Sequence, residues 1–389
     1  MLKLRGAVVR EVLASAGRGV AEQSLVVELD GEPGLRRAAI ADSAMIGRCE
    51  VGDEVVVNVQ ALDLGLGSGG FDVVHANLTR GLSAEGTDSA HVMKLNYTSL
   101  QHAVGPVEGG EDLRVPLGRP VAVLALHGQL APLAWAFAQS APGRVLGYVQ
   151  TEGGALPAAR SRTAAELRRR GLLARHLTAG AAFGGDGEAI TTAGALHHGL
   201  GELGWDAAVC GPGPGIVGSS SALGHGGMFA LDSAHAALAL GCPAVVAARM
   251  SGADPRPRHR GLSHHTRTVL ELLLAPAIVA LPGGGDDEVT RVPDSARLGR
   301  HDWRVCDTDL DGFVASGLPA ETMGRGVAED PLFFDAALAA GAALASAAGV
   351  GAGEGTGLSG QTRAGLGGDD AALRQSRVSP GEDDAVPGR

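Results

Sequence analysis

Between Arg249 and Arg267 the chain carries five arginines (Arg249, Arg256, Arg258, Arg260 and Arg267), three histidines (His259, His264 and His265) and one acid, Asp254. The formal net charge of the whole chain is −11, so this local surplus of cations runs against the composition. A guanidinium offers a planar fork of N–H donors that matches phosphate or carboxylate, and imidazoles exchange protons near neutral pH. The stretch therefore reads as a site for a small anion. Arg249, Asp254, Arg256, Arg258, Arg260, Ser263 and Thr266 are its expected binding residues, and His259, His264 and His265 its expected acid–base residues. Ser263 stands where an N-cap would, and the free N–H groups of the helix it starts also favour an anion. Two other uses compete. Arginines pair with internal carboxylates for structural ends alone. His259, His264 and Asp254 are suitable metal-ligand types, but the arginines repel a divalent ion, so no metal is expected. Neighbouring helical residues point in different directions, so at most one of His264 and His265 is expected to enter the site.

A second stretch, Gly211 to Gly227 (GPGPGIVGSSSALGHGG), is rich in glycine. Gly213, Gly215 and Gly218 have the G-x-G-x-x-G spacing of dinucleotide-binding loops, a weak signal alone. The string is not in the first βα unit, Arg249 stands where an acid is expected after the next strand, and no Gly-Lys-Ser/Thr follows. A nicotinamide dinucleotide is thus disfavoured and the cofactor stays open. The better reading is a backbone nest approaching a ligand, with His225 held between two glycines. His127, Glu152, Asp186 and Glu188 add candidate bases or ligands; Asp186 and Glu188 are placed at a helix start, where acids are favoured by the dipole alone. No H-E-x-x-H, G-x-S-x-G or kinase signature occurs.

These stretches share a position in the chain's pattern. From Pro116 onward, apolar strand-like runs alternate with helical ones: strands at 121–126, 144–149, 172–178, 206–210, 243–248 and 277–281, with helices to about 140 and near 157–170, 188–203, 228–240 and 264–274. Buried parallel strands read as continuous apolar runs, so this is a Rossmann-like α/β domain with helices on both faces, at 116–348. In such sheets ligands bind outside the carboxyl ends of the strands. Loops 127–129, 151–154, 184–188, 211–227 and 249–266 all follow strands, and all are rich in Gly, His, acids or Arg. The loops at the other end are short and plain. One ligand-binding rim is expected.

Residues 1–115 read as a small β barrel or sandwich, with strands at 4–13, 24–29, 54–62, 71–78 and 91–97. A further strand is expected at 301–305 and a last helix at 331–347. Residues 349–389 are poor in large apolar side chains and read as a disordered tail.

Hydrophobic residues make up 45% of the 389 and aromatics 3%, so Val, Leu and Ala must fill the core. The acidic balance argues against nucleic acid as a partner. The four cysteines are too dispersed for a zinc ribbon or a redox pair. No unbroken apolar run reaches the roughly 18 residues of a membrane span, and no signal core follows the first residues, so cytoplasm without a membrane partner is expected. Oligomeric state is not legible.

The strings VVVNVQALDLGLGSGGFDVVHANL, GPGPGIVG, ADPRPRHRGLSHHTRTVL and TMGRGVAEDPLFF together resemble the bacterial domain-of-unknown-function family 3866. The resemblance runs from residue 1 to about 345 and implies a bacterial, intracellular protein. It assigns no activity. Two function classes follow: an enzyme acting on a small anionic, phosphate- or carboxylate-bearing metabolite, or a ligand-sensing or partner-binding protein without turnover.

Overall fold

Alternating buried Val, Leu and Ala closes the first element of the fold, a barrel with an apolar interior. In the computed structural model, which describes residues 2–13, 22–65, 70–83, 90, 92–283 and 295–350, its strands are β1 (Leu4–Leu13), β2 (Glu22–Leu29), β3 (Arg36–Asp42), β4 (Glu54–Asn58) and β5 (Asp72–Asn77), with short helices α1 (Ser43–Ile46) and α2 (Gln60–Asp63). They close in the order β1-β2-β3-β5-β4. Every second residue of β2 is buried, as a half-buried strand requires, and Val9, Leu25, Val27, Val55 and Val57 fill the centre. The strand expected over 54–62 stops at Asn58, whose side chain accepts from Gln60 N at 3.0 Å and turns the chain into α2. Strand β3 was not expected, because RRAAIAD has only a short apolar centre. A hairpin, β6 (Val92–Lys94) and β7 (His102–Val104), follows.

The second element is an eight-stranded parallel sheet. Its strands are β8 (Val121–Val123), β9 (Leu146–Thr151), β10 (His176–Ala179), β11 (Gly187–Ala189), β12 (Ala207–Pro212), β13 (Ala244–Ala247), β16 (Ile278–Pro282) and β17 (Asp302–Cys306), while β14 (Met250–Ser251) and β15 (Gly261–Leu262) form a separate ribbon. The order is β11-β10-β9-β12-β8-β13-β16-β17. Strand residues alternate between two cores: Ala208, Cys210 and Val246 face one, Val209, Val245 and Ala247 the other. Helices α3 (Leu130–Ser140), α4 (Arg162–Arg169), α8 (Leu310–Ala315) and α9 (Pro331–Val350) cover the second face; α5 (Thr192–His197), α6 (Phe229–Ala239) and α7 (His264–Leu272) cover the first. The fold is therefore α/β with helices on both faces, preceded by a small all-β barrel. Helix α9 is long and apolar enough to cross a membrane by length and composition, but Phe333, Phe334, Leu338 and Leu344 are packed in the second core.

One expected helix begins late. Residues 187–189 pair with β10 as the edge strand β11, and α5 starts only after Thr191, whose side chain caps it. The barrel and the α/β element touch through Arg160, which pairs with Glu22 and lies 4.6 Å over the Phe71 ring. The tail expected at 349–389 begins inside α9, which runs to Val350; the rest of it, from Gly351 on, and the 284–294 part of the polar connection lie outside the described residues.

Candidate functional site

All eight strands are parallel, so their carboxyl ends form one rim. Strand β9 sends the chain outward to β10, whereas β12 sends it across β8 to β13; these connections diverge between β9 and β12. Strands β8 and β13 diverge likewise, toward β9 and β16. Ligands in open α/β sheets bind at such switch points, and this rim has two.

At β9/β12 lies a cavity of about 790 Å³, within the size of small-molecule sites. Its wall is made by the loops after β9, β10 and β12 and includes Glu152, Phe183, Gly218, Ser219, His225 and Phe229. Main chain builds much of it. Val217 N donates to Gly153 O at 3.2 Å, and Gly226 N to Val217 O at 2.6 Å. Gly153 and Gly226 meet backbone to backbone: a Cβ on Gly226 would stand 2.2 Å from Gly153 O, and Gly153 has φ +95°. Larger residues are excluded from both positions. Glu152 accepts from Ala181 N at 2.8 Å, which holds the loop after β10 against the cavity.

At β8/β13 the rim is filled with charge. Asp254 is fully buried and accepts from Arg256 Nε at 2.9 Å and Nη2 at 2.8 Å; Arg249 and Arg325 approach it at 3.4 and 3.5 Å. Burial alone would raise the Asp254 carboxyl, but the Arg256 side-chain and backbone hydrogen bonds hold it well below the usual range. Arg249, buried, is pushed down to about 10 by burial despite Asp254, with Arg256 and Arg325 adding repulsion. It donates to His265 Nδ1 at 2.9 Å. Arg260 donates to Asp254 O, Thr266 Oγ1 accepts from Arg249 N, and His259 Nδ1 lies 2.7 Å from Ser263 Oγ. Arg258 is exposed.

Histidine joins the two places. His225, in the cavity wall, stacks on His265 with ring centroids 3.5 Å apart and meets His264 edge-on at 5.7 Å. His264 and His265 each lie 4.8 Å from His259. Burial first, then Arg249, pushes His265 down to about 2 and His259 to about 3. His225, His264 and His265 each offer a ring nitrogen within 4.8 Å of the others. Both adjacent histidines thus touch His225, although neither lines the cavity itself. His225 meets the first turn of α7, where two side chains about 100° apart can both touch it. Ser263 caps that helix.

The remaining expected residues fall elsewhere. His127 is hydrogen-bonded between Pro212 O and Ser161 Oγ and is absent from the cavity wall. Asp186 lies at the amino end of β10, accepting from His176 N at 2.9 Å and pairing with Arg168, so it is remote from the rim. The chain crosses back from β10 to β11 without a helix, which carries Asp186 to the opposite end of the sheet; Glu188, on β11, pairs with the buried Lys94. Gly213 packs on Gln150 and Gly215 takes φ +78°, both in the loop after β12. Arg325 and Asp330 were missed. Asp330 accepts from Ser251 Oγ and Gly252 N and pairs with Arg325, locking the loop after β13 to the segment before α9. Their signal in the sequence was the GRGVAED string ahead of an apolar helix.

A family model described as "Protein of unknown function (DUF3866)" matches residues 38–341. No curated protein and no solved structure matches the chain.

Proposed function

We propose a function from the site itself, because the chain belongs to the DUF3866 family and that description names no activity: an enzyme acting on a small anionic metabolite at the carboxyl rim of the sheet. The observation that carries this reading is His225, which stands in the wall of the 790 Å³ cavity and stacks on the buried His265. A ligand's apolar body would pack on Leu156, Phe183, Val217 and Phe229, and its polar end would meet His225. Behind His225 the cations Arg249, Arg256 and Arg325 outnumber the carboxylates Asp254 and Asp330, a field that favours a negative group there. Arg256 and Arg260 are engaged within their own loop, so these two act on an anion through this field rather than through free forks.

Wild-type protein and a Gly218→Trp variant, which fills the cavity, are incubated with a bacterial metabolite extract and followed by untargeted mass spectrometry. Depletion of an anionic compound by wild type alone is expected. Retention of a compound without conversion would favour the sensing class, and no difference between the two proteins would sink both.

A further inference from the structure

We propose that His225, His264 and His265 form a binding site for a transition-metal ion of the zinc class, beside the rim cavity. In a neutral imidazole one ring nitrogen donates and the other carries a lone pair. His225 Nε2 donates to Ala222 O at 3.0 Å, which leaves Nδ1 as the lone pair; that atom is buried and without a hydrogen-bond partner. His265 Nδ1 accepts from Arg249 Nη1, so it too is a lone pair. His264 Nε2 is buried and unpartnered. Gly227 leaves the adjoining space open: a Cβ there would lie 3.1 Å from His225 Nδ1 and 3.3 Å from both His265 Nδ1 and Ala125 O. Several electron pairs thus border one small space. Buried polar atoms are nearly always paired, and a cation that takes lone pairs would satisfy these.

Imidazole donors suit zinc, copper, nickel and iron. Three protein ligands with a position left open is the arrangement of metal sites that act on substrates. The hydrogen bond from His225 to the Ala222 carbonyl is the outer support that metal-binding histidines make. Two features oppose the ion, and each gives the site a property. Arg249 occupies the His265 lone pair and must release it, while the stacked His225 and His265 rings must tilt apart for their lone pairs to converge. The surrounding arginines also repel a bare divalent ion, so the bound ion carries an anion in its open position. That anion's identity rests on the proposed function above; the metal site does not.

The test uses the untagged full chain, treated with chelator and titrated with zinc or cobalt(II) chloride. Calorimetry should show one ion per chain, and cobalt should give the visible absorption of a nitrogen-rich four-coordinate site. Ring-nitrogen chemical shifts of three histidines should move in wild type when zinc is added, a readout that needs no variant to fold. His225→Ala and His264→Gln, checked by circular dichroism, should each lose stoichiometric binding. Absence of binding, unmoved histidine shifts, or full binding in a folded His225→Ala/His264→Gln double variant would overturn the metal site. Metabolite conversion by a protein that binds no zinc would overturn the metal site and leave the enzyme standing. Zinc bound with no metabolite affected would do the reverse.

Discussion

At β9/β12 the rim is open, walled by glycine main chain and apolar side chains, whereas at β8/β13 it is packed with Arg249, Asp254, Arg256, His259 and Arg325. The two lie side by side on one sheet and share a histidine stack. Space for a ligand comes from residues that omit side chains. The dense charge that stands out in the sequence is spent largely on holding a loop together. Charge in this sequence thus marks a packed loop, and glycine marks the open cavity beside it.

The sharpest way to break this contrast is at Asp254. Asp254→Ala leaves Arg249 and Arg256 without their buried counter-charge, and removing one partner of such a cluster costs about 3–5 kcal/mol. Chemical denaturation should show that loss with no anion present; a change under about 1 kcal/mol would mean the cluster is not what holds the loop.

Acid should act on the layer beneath the open side. Burial pushes His127 down to about 4 and His176 to about 3, from an ordinary 6.5. Below pH 6.5 the unfolded chain takes up protons that the folded one refuses. Stability therefore falls from there toward pH 4, each histidine contributing a loss of about 1.4 kcal/mol for every pH unit descended. Denaturation midpoints of wild type and His127→Asn across that range check this. The variant should show a shallower decline.

Smaller effects separate opening from packing. Gly226→Ala forces a methyl group against Gly153 O and should cost about 1–3 kcal/mol, with ligand retention falling further than stability alone explains. Arg258→Ala removes an exposed side chain and should stay within about 0.5 kcal/mol of wild type. A large loss there would reveal a contact that the open side chain does not suggest.

The sheet was legible because fully buried parallel strands cannot alternate: AAVCGP and AVVA are apolar throughout, and few other elements read so. The barrel was legible where Val and Leu alternate and was missed at RRAAIAD, whose partners supply what its own pattern lacks. Asp186 was misplaced because a short crossover and a loop look alike in sequence, yet one returns the chain to the other end of a strand. Ser263 was found as a cap because capping is local chemistry. Arg325 and Asp330 were not found, because their partners Asp254 and Ser251 lie more than seventy positions away along the chain.

Sequence by itself determined most of the strands and helices and much of the crowding of polar residues at strand ends, since these follow from burial and from interactions between near neighbours. The strand order was decided only in three dimensions: β12 inserts between β9 and β8, which makes two switch points. So were the use of Asp254 as the shared counter-ion and the meeting of His225 with His264 and His265. Each depends on residues far apart in the chain being brought within hydrogen-bonding or stacking range. Electrostatics, hydrogen bonding and packing act over a few ångströms of space, whatever the distance along the chain.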